Sequence, residues 1–438
     1  MRQPMRRSVL FGLAALLLGG TQAGAQTDRF VTFSEFIQGV RGAAPSAFVG
    51  QGQNRVASAT AFEEMRQHIQ TTYEGVTVTH SHVLDSAHFD CVPIMQQASV
   101  RKLGVSQIAS PPPTAPAAPA GAGAAAAGNL LPQFTHSTDK FGNAMNCEPG
   151  TIPMRRMTLE DLSRFQTLQQ YFQKGPNGAG QVRPRGGVQP PAATHKYAHA
   201  YQFKTNYGGT SRLALYRPVV GSSQIFSLSQ HWYVSTQSGK TQTVEIGWQK
   251  YPAFYHTQTP VTFIYWTADG YGSTGCYNLT CGAFVQRDSS LHIGGGWASY
   301  STIGDNQYEA WLGYVLYDGN WWVLFNNKYI GYYPGSKWGK KNLANHAQEI
   351  DYGGETVGNN ANTSWPQMGS GRFASQGYKF AAFQRLIYYF GTNRGSSAFY
   401  ASLTKSQPSP RCYTINTFTG DRNWHTYFFF GGPGGGGC

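Results

Sequence analysis

The stretch YVLYDGNWWVLF, residues 314–325, decides the fold class of this chain. Two runs rich in aromatic and β-branched residues flank Asp318-Gly319, a pair that favours the tight turn of a two-stranded hairpin. Similar runs recur after about residue 196, including SLSQHWYVS, TFIYWTAD, AFVQRD and KYIGYYP, with Gly, Asn and Asp between them. Short strands separated by turn residues predict an all-β domain, either a sandwich or a barrel.

The composition agrees with an all-β protein of extracellular type. Of the 438 residues only 13% are charged, whereas the chain contains 53 Gly, 26 Tyr, 26 Phe and 10 Trp. The net charge is +13, but the Lys and Arg residues are spread thinly, with no cluster beyond KWGKK at 337–341. Nucleic-acid binders concentrate their basic residues, so we predict no nucleic-acid partner.

The N-terminus has the pattern of an export signal. Three arginines in the first seven residues precede the apolar run SVLFGLAALLLGG, and the small residues AGA follow as a cleavage motif. The apolar run is too short to span a membrane as a mature helix. We therefore expect residues 1–25 to be a signal peptide and the mature chain to be secreted or periplasmic, with no membrane partner.

Six cysteines fall into three sequence neighbourhoods, and export permits disulfide bonds. The neighbours are Cys91 with Cys147, Cys276 with Cys281, and Cys412 with Cys438. We interpret them as three bridges, although sequence alone leaves the connectivity open. Structural zinc is the competing interpretation, and the absence of a CxxC pair argues against it.

Two low-complexity segments divide the mature chain. Residues 109–129 are rich in Pro, Ala and Gly, and residues 174–194 are rich in Gly and Pro and carry two arginines. Neither composition can bury an apolar core, so we interpret the first as an insert and the second as a cleavable linker. Before the linker, SATAFEEMRQHIQTTY has helical spacing and TLEDLSRFQTLQQYF opens with a capping box. Short strands around VTVTHSHVL and HFDCVPI complete a small α+β region.

The common catalytic motifs are absent from the sequence. It contains no HExxH zinc-protease helix and no GxSxG nucleophile elbow. His80 and His82 alternate along THSHV and offer metal ligands, but alternating histidines on a strand are more often surface residues. We therefore predict no metal and no cofactor.

Glutamates are the remaining candidates for chemistry, and few follow residue 196. They are Glu245, Glu309, Glu349 and Glu355. In TVEIGWQKYP, residues 243–252, strand alternation places Glu245, Gly247 and Gln249 on one face and the apolar residues between them on the other. The polar face is then expected to line a cleft or to be exposed to solvent.

The other three glutamates differ in their surroundings. Glu355 lies in IDYGGETV, where two glycines let a ligand or another backbone come close. Glu309 in NQYEAWLGY alternates with apolar residues, and Glu349 in the polar run NHAQEID is expected to be a solvated loop residue. Glu245 and Glu355 are therefore the candidate pair, although each could also be an ordinary surface glutamate.

Two glutamates in a cleft can hydrolyse a bond without a metal. Close carboxyls cannot both ionise easily, so one of them keeps its proton. The ionised carboxylate takes a proton from water, and the protonated one stabilises the oxyanion or protonates the leaving group. Such a pair works best in acid.

Several sequence blocks, in order, resemble the neprosin family of secreted glutamic peptidases. In the C-terminal part they are VEIGWQKYP, FIYWTADGYGSTGCYNLTCGAFVQ, GNWWV, IGYYP, DYGGETV and QMGSGRF. In the N-terminal part FDCVPIMQQ and NCEPGTIPMRR resemble the family's activation peptide. The resemblance implies an antiparallel β-sandwich of two packed sheets with a cleft on one concave face. It also implies cleavage after proline, in acid and without a metal.

The resemblance assigns roles to particular residues. Glu245 and Glu355 match the family's catalytic glutamates, and analogy with related glutamic peptidases implies that Glu355 is the general base and Glu245 the acid and oxyanion partner. Prolyl rings pack well on aromatic faces, which would favour substrates with proline. The cleft candidates are Trp248, Gln249, Tyr265 and Trp266.

The resemblance also organises the rest of the chain. It identifies Cys276–Cys281 as a tight bridge and supports Cys412–Cys438. Residues 26–190 become a propeptide that covers the cleft as an intramolecular inhibitor, and residues 191–438 become the catalytic domain. The expected partners are thus the chain's own propeptide and proline-containing peptides or proteins.

Two other function classes stay open. One is a glycoside hydrolase on a similar sandwich, which would also use two carboxylates. The other is a lectin-like binding module without catalysis. A processed propeptide favours an enzyme, because a binding module rarely needs masking, and the order of the blocks favours a peptidase over a glycosidase.

Overall fold

The computed structural model describes residues 29–114, 130–174, 195–359, 363–392 and 397–438. Two compact units are distinguished, Met1–Val31 and Thr32–Cys438. Of the first unit, residues 29–31 are described, and they have no regular secondary structure. The predicted signal peptide, most of the Pro/Ala-rich insert and all of the predicted linker except Lys174 lie outside the described residues.

Residues 32–174 combine short helices with a small antiparallel sheet, as predicted. The helices are α1 (Phe33–Gly42), α2 (Ala59–Tyr73), α3 (Ala98–Leu103), α4 (Leu159–Leu162) and α5 (Leu168–Phe172). The sheet has the order β1 (Ser81–Leu84), β2 (Ala87–Pro93) and β3 (Thr151–Arg155). We call this region the N-terminal region.

Local sequence signals explain these helices. The side chains of Phe62, Met65 and Ile69 are fully buried on one face of α2, as their spacing predicts. The capping box of α4 is also confirmed, because the Thr158 hydroxyl accepts from the backbone of Asp161 and the Asp161 carboxylate accepts from the backbone of Thr158.

The described residues after the linker contain two larger antiparallel sheets and the short helix α6 (Pro252–Tyr255). The seven-stranded sheet contains β4 (His195–Asn206), β6 (Phe226–Gln237), β7 (Lys240–Lys250), β8 (Val261–Thr267), β9 (Cys276–Tyr277), β14 (Ala347–Val357) and β17 (Thr404–Ser406). The nine-stranded sheet contains β5 (Gly208–Ala214), β10 (Val285–Gln286), β11 (Glu309–Tyr317), β12 (Asn320–Phe325), β13 (Lys328–Pro334), β15 (Ala382–Phe390), β16 (Ala398–Tyr400), β18 (Thr414–Asp421) and β19 (His425–Gly431).

The order of strands shows how the chain crosses between the sheets. The seven-stranded sheet has the order β17-β4-β14-β6-β7-β8-β9. The nine-stranded sheet has the order β10-β13-β12-β11-β5-β15-β19-β18, with β16 beside β15. One apolar cluster joins side chains of both sheets, for example Ile246 and Trp248 of the first with Leu213, Leu312 and Trp321 of the second. The antiparallel sandwich is therefore confirmed.

The hairpin predicted from residues 314–325 joins β11 to β12. Asp318 and Gly319 have φ angles of 46° and 71°, which is the left-handed conformation that both central residues of this turn need. The three predicted disulfides, Cys91–Cys147, Cys276–Cys281 and Cys412–Cys438, are all present and leave no free cysteine. Among the described helices, none has both the length and the apolar character needed to cross a membrane.

Buried glutamines join the N-terminal region to the sandwich. The side-chain amide of Gln97 donates to the backbone oxygen of Gln286 (2.8 Å) and accepts from its backbone nitrogen (2.9 Å). Gln133 binds the backbone of His292 in the same reciprocal way, at 2.7 and 2.6 Å. Tyr171 also stacks on Phe254, with ring centroids 4.8 Å apart. These contacts fix the N-terminal region against the sandwich.

Candidate active site

The register of three strands brings Glu245 and Glu355 onto the same face of the seven-stranded sheet. On β6, Trp232 lies opposite Glu245 of β7, and Leu228 lies opposite Glu355 of β14. Residues opposite each other on neighbouring strands point to the same face, so the two glutamates share it. The predicted separation of polar and apolar faces in β7 is thus confirmed. We call the face that carries both glutamates the glutamate face.

Glycines lie between the two glutamates. Gly247 of β7 and Gly353 of β14 both lie opposite Gln230 of β6, on the row between the two glutamate positions. A Cβ atom at Gly353 would lie 2.4 Å from the backbone oxygen of Ala198, so a side chain does not fit there. The glycines therefore leave the space between the carboxyls unfilled by side chains of their own.

Lys174 of the N-terminal region joins the two carboxylates. Its Nζ atom lies 2.5 Å from Oε2 of Glu245 and 2.8 Å from Oε2 of Glu355. The same ammonium lies 5.3 Å from the ring centroid of Trp232, within cation–π range. All three charged side chains are buried, so one cation compensates two carboxylates out of water.

Hydroxyl groups hold Glu245 on its other oxygen. The Tyr271 hydroxyl donates to Oε1 at 2.6 Å, and the Thr243 hydroxyl donates to the same atom at 2.9 Å. Burial and the charge of Glu245 raise the pKa of Tyr271 well above its usual value. Tyr271 therefore stays protonated and remains a donor at neutral and acidic pH.

Four donors surround Glu355. His195 Nδ1 and the Tyr197 hydroxyl (3.4 Å) contact Oε1, whereas Lys174 and the Gln230 amide (3.2 Å) contact Oε2. Burial acts to raise the pKa of Glu355, but the charge of Lys174 and the hydrogen bond and charge of His195 outweigh it. They lower this pKa to about 2. In this state of the chain Glu355 is an ionised carboxylate.

The predicted cleft residues divide between the two faces of the sheet. Gln249 and Tyr265 lie on the glutamate face, where Tyr265 is opposite Glu245 and Gln249 donates to the Tyr277 hydroxyl at 3.1 Å. Burial, followed by the charge of Glu245, raises the pKa of Tyr265 well above its usual value. These two residues thus share the face of the two glutamates.

Trp248 and Trp266 lie on the opposite face. Trp248 is fully buried in the core between the sheets and donates to the backbone oxygen of Ala214 at 2.9 Å. Trp266 packs edge-on to Trp338, with centroids 5.8 Å apart, and carries Lys337 over its ring. Neither side chain lines the glutamate face, because each is an odd number of residues from Glu245 or Tyr265 along its own strand.

Two expectations about exposure are wrong. Glu349 is not a solvated loop residue, because it lies in β14 and is 2% exposed. His82 is not a surface residue either, since it is fully buried and its Nε2 lies 2.7 Å from Nε2 of His292. The polar neighbours of Glu349 concealed the strand, and the partner of His82 is 210 positions away in sequence.

His80, His82 and Cys91 form the one group in the described part of the chain whose ligand atoms have metal-like spacing. They do not fit a metal, because Cys91 is tied to Cys147 as a disulfide and offers no thiolate. Both ring nitrogens of His80 are also engaged, with Glu148 and the Ala144 backbone, and Nε2 of His82 contacts His292.

The sequence analysis missed most of the donors around the glutamates. Lys174 was assigned to the linker, and nothing in its neighbourhood marks it as buried. His195 and Tyr197 alternate in HKYAHAY, a pattern that a search for polar strand faces would have found. Tyr271 and Gln230 carry no signal of their own, because their role depends on contacts between distant segments.

Part of the chain is similar to a known protein family and to solved structures. Residues 223–433 match the model of the Neprosin family. Two crystal structures of scytalido-glutamic peptidase, one with a transition state analog inhibitor and one with a peptide based transition state analog, match with 9% identity. Each alignment covers 54% of this chain and 97% of the other, with TM-scores of 0.28 and 0.27. The family match includes Glu245, Glu355 and the strands that hold them, and residues 223–433 of this chain are therefore a domain of the Neprosin family.

Proposed function

We propose that this chain is the zymogen of an exported glutamic peptidase that cleaves after proline in acid. The observation that carries the proposal is the contact of one buried ammonium, Lys174, with both Glu245 and Glu355. Two carboxyls held this close on a rigid sheet share a proton once that cation leaves. The Neprosin family match supports a peptidase rather than a glycosidase or a binding module.

In the proposed reaction, Glu355 is the base and Glu245 the acid. The ionised Glu355 takes a proton from water as the water oxygen attacks the carbonyl carbon of the scissile bond. The protonated Glu245 donates a hydrogen bond to the developing oxyanion. The tetrahedral intermediate then collapses, the C–N bond breaks and the amine nitrogen takes the proton that Glu355 removed from water, so that an acid and an amine leave the site and Glu355 is ionised again.

Aromatic side chains around the glutamates support the preference for proline. Trp232 and Tyr265 flank Glu245 on the two neighbouring strands, and Tyr197 lies opposite Glu355. A prolyl ring is rigid and apolar, so it packs on such faces with little loss of conformational entropy. These three residues are the proposed substrate contacts.

The N-terminal region has the proposed role of an inhibitory propeptide. Residues 1–25 would be the signal peptide, residues 26–190 the propeptide and residues 191–438 the catalytic domain, with a cut within the linker 174–194. Lys174 occupies the position between the carboxyls that water and the scissile bond need. Three disulfides agree with the proposed export.

Acid would release this block by removing charge from the carboxyls. The pKa of Glu355 is lowered in the folded chain, so its ion pair with Lys174 contributes stability above the ordinary carboxyl pKa. That contribution is lost as the pH falls from about 4.5 towards about 2. A lower pH therefore weakens the contact between Lys174 and Glu355, as the proposed activation in acid requires.

The test is peptide cleavage by the full chain at about pH 3 to 5, where a close carboxyl pair shares one proton. Proline-containing peptides are followed by mass spectrometry for the wild type, Glu245→Ala and Glu355→Ala. We expect cuts after proline that fall by about 10²–10⁴-fold in both variants. Glu349→Gln, a buried glutamate of the same strand β14, is the matched control and keeps wild-type cleavage.

Two results would overturn the proposal. One is wild-type cleavage by both alanine variants while their circular dichroism and melting temperatures stay native. The other is a wild type that cuts no peptide but hydrolyses or binds polysaccharides offered in parallel, which would favour the glycosidase or the lectin-like module.

A further inference from the structure

His195 lies at the start of β4, with its ring buried against Glu355. It is the first described residue after the linker, whereas Lys174 is the last described residue before it. A cut in the linker would therefore separate the two groups. Lys174 would leave with the N-terminal region, and His195 would stay with the glutamates.

The two groups contact different oxygens of Glu355. Lys174 and Gln230 contact Oε2, the oxygen on the side of Glu245, since the same ammonium also reaches Glu245. His195 Nδ1 and the Tyr197 hydroxyl contact Oε1. Loss of Lys174 would thus free Oε2 to accept a proton, while Oε1 keeps its hydrogen bonds.

The surroundings of His195 fix its ring. Tyr197 stacks beside it, with centroids 6.2 Å apart, and Phe226 packs edge-on at 5.8 Å. His195 Nε2 is buried and has no hydrogen-bond partner within the described part of the chain. The Nδ1 contact to Glu355 is therefore the polar contact that the described residues offer to this ring.

We infer that His195 is a positioning residue that orients Glu355 through Oε1 and keeps it ionised as the base after Lys174 has left. This inference rests on the proposed function. The hydrogen bond and the charge of His195 both act to lower the pKa of Glu355. A positive charge beside a carboxylate favours its ionised form, so Glu355 stays a base while Glu245, which has hydroxyl donors instead, takes the shared proton. The charged and titratable groups that face this contact are Lys174, Tyr197 and, through Lys174, Glu245 with Tyr271.

The chain offers a matched control on the same strand. His199 lies four residues further along β4 on the same face, is fully buried, and has its Nδ1 atom 2.7 Å from Oδ2 of Asp351. It therefore belongs to a second buried histidine–carboxylate pair, in which the carboxylate is Asp351 rather than Glu355. Its loss removes an equivalent contact without touching Glu355.

The first experiment measures kcat/KM of the acid-activated protein against pH for the wild type, His195→Gln and His199→Gln. Without the contact from His195, Glu355 should require a higher pH to ionise. We expect the acidic limb of His195→Gln to move up by about 1 pH unit or more, with kcat rather than KM reduced below it. His199→Gln should keep the wild-type limb. Equal limbs in all three folded proteins would overturn the inference.

The second experiment does not depend on activity. Full-length protein carrying ¹³C-labelled glutamate side chains is titrated by NMR, and the signal missing from Glu355→Ala identifies Glu355. We expect its titration midpoint to lie higher in His195→Gln than in the wild type. An unchanged titration midpoint of Glu355 would contradict the inference about His195, whatever the activity. A wild-type chain that cleaves no peptide would instead contradict the proposed function. The two failures are thus distinguishable, even if one variant does not activate.

Discussion

The two larger sheets each bury glutamate beside a cation, and they balance the charges in opposite ways. On the nine-stranded sheet, one carboxylate, Glu309, receives Arg212 at 3.1 Å and Arg385 at 2.5 Å. On the seven-stranded sheet, two carboxylates share Lys174. The first cluster has an excess of cation within the sandwich, and the second has an excess of carboxylate whose cation comes from the N-terminal region.

This difference separates a permanent ion pair from one that the proposed maturation would break. The arginines that hold Glu309 are part of β5 and β15, so no cleavage of the linker removes them. Lys174 belongs to a segment that the proposed maturation would detach. Buried glutamates paired with cations can therefore stabilise one sheet permanently. In the other sheet they would become able to share a proton after the proposed maturation.

The largest expected effect on stability is that of Glu309→Ala. It leaves Arg212 and Arg385 buried without the carboxylate that both contact, which costs about 3–5 kcal/mol of unfolding free energy. Urea denaturation measures this loss, and cleavage per folded molecule should stay at the wild-type level. Glu245→Ala should cost much less, because Lys174 keeps Glu355 as a partner. Equal losses in the two variants would contradict the distinction between the clusters.

A smaller effect is expected from Lys174→Met in the full chain. The substitution removes the shared cation and leaves two buried carboxylates facing each other, so docking of the N-terminal region should weaken by about 2–5 kcal/mol. Release of that region, followed by gel and mass spectrometry at a fixed acid pH, should become at least about tenfold faster. Lys337→Met is the control, since this lysine also lies over a tryptophan, Trp266, but on the face of the sheet opposite the glutamates. Identical time courses for the wild type and Lys174→Met would argue against a block by this side chain.

The smallest effect concerns the buried histidine pair between the N-terminal region and the sandwich. Burial lowers the pKa of His82 to about 4 and that of His292 to about 3. The charge of His80 further lowers the pKa of His82, and the charge of His82 further lowers that of His292. Their neutral forms therefore stabilise the folded chain above about pH 6.5, and this contribution is lost as the pH falls towards 4.

The variant His82→Phe/His292→Leu should consequently melt with a weaker dependence on pH. Phe89 and Phe134 pack edge-on to the His292 ring, so apolar replacements suit the site. The measurement is the melting temperature at about pH 7 and pH 4 in the Glu355→Ala background, which prevents self-cleavage. If the melting temperature falls between the two pH values as much in this variant as in the protein that keeps both histidines, then His82 and His292 do not cause the pH dependence.

The sequence predicted what depends on neighbours along the chain. Alternation in β7 placed Glu245 apart from Trp248, and Asp318-Gly319 located the hairpin, because both signals need only a few residues. The same alternation would have excluded Trp248 from the cleft, had it been applied to that residue. The pairing with Glu355 needed the glycine pattern together with the resemblance to a family.

What the sequence could not predict depends on distant partners. Lys174 is 71 positions from Glu245, and its burial follows from the docking of a whole region rather than from its own neighbours. His195 is 160 positions from Glu355. Such contacts are created by strand order, which hydrophobic periodicity does not specify.

The reciprocal bonds of Gln97 and Gln133 have a consequence for the timing of maturation. Primary amides carry no charge, so neither acid nor salt removes them as it removes an ion pair. When protonation loosens Lys174, these neutral anchors still hold the N-terminal region to the backbone of Gln286 and His292. We therefore expect exposure of the carboxyls to precede physical departure of the region, so that a short acid pulse is reversible and only a longer one commits the molecule.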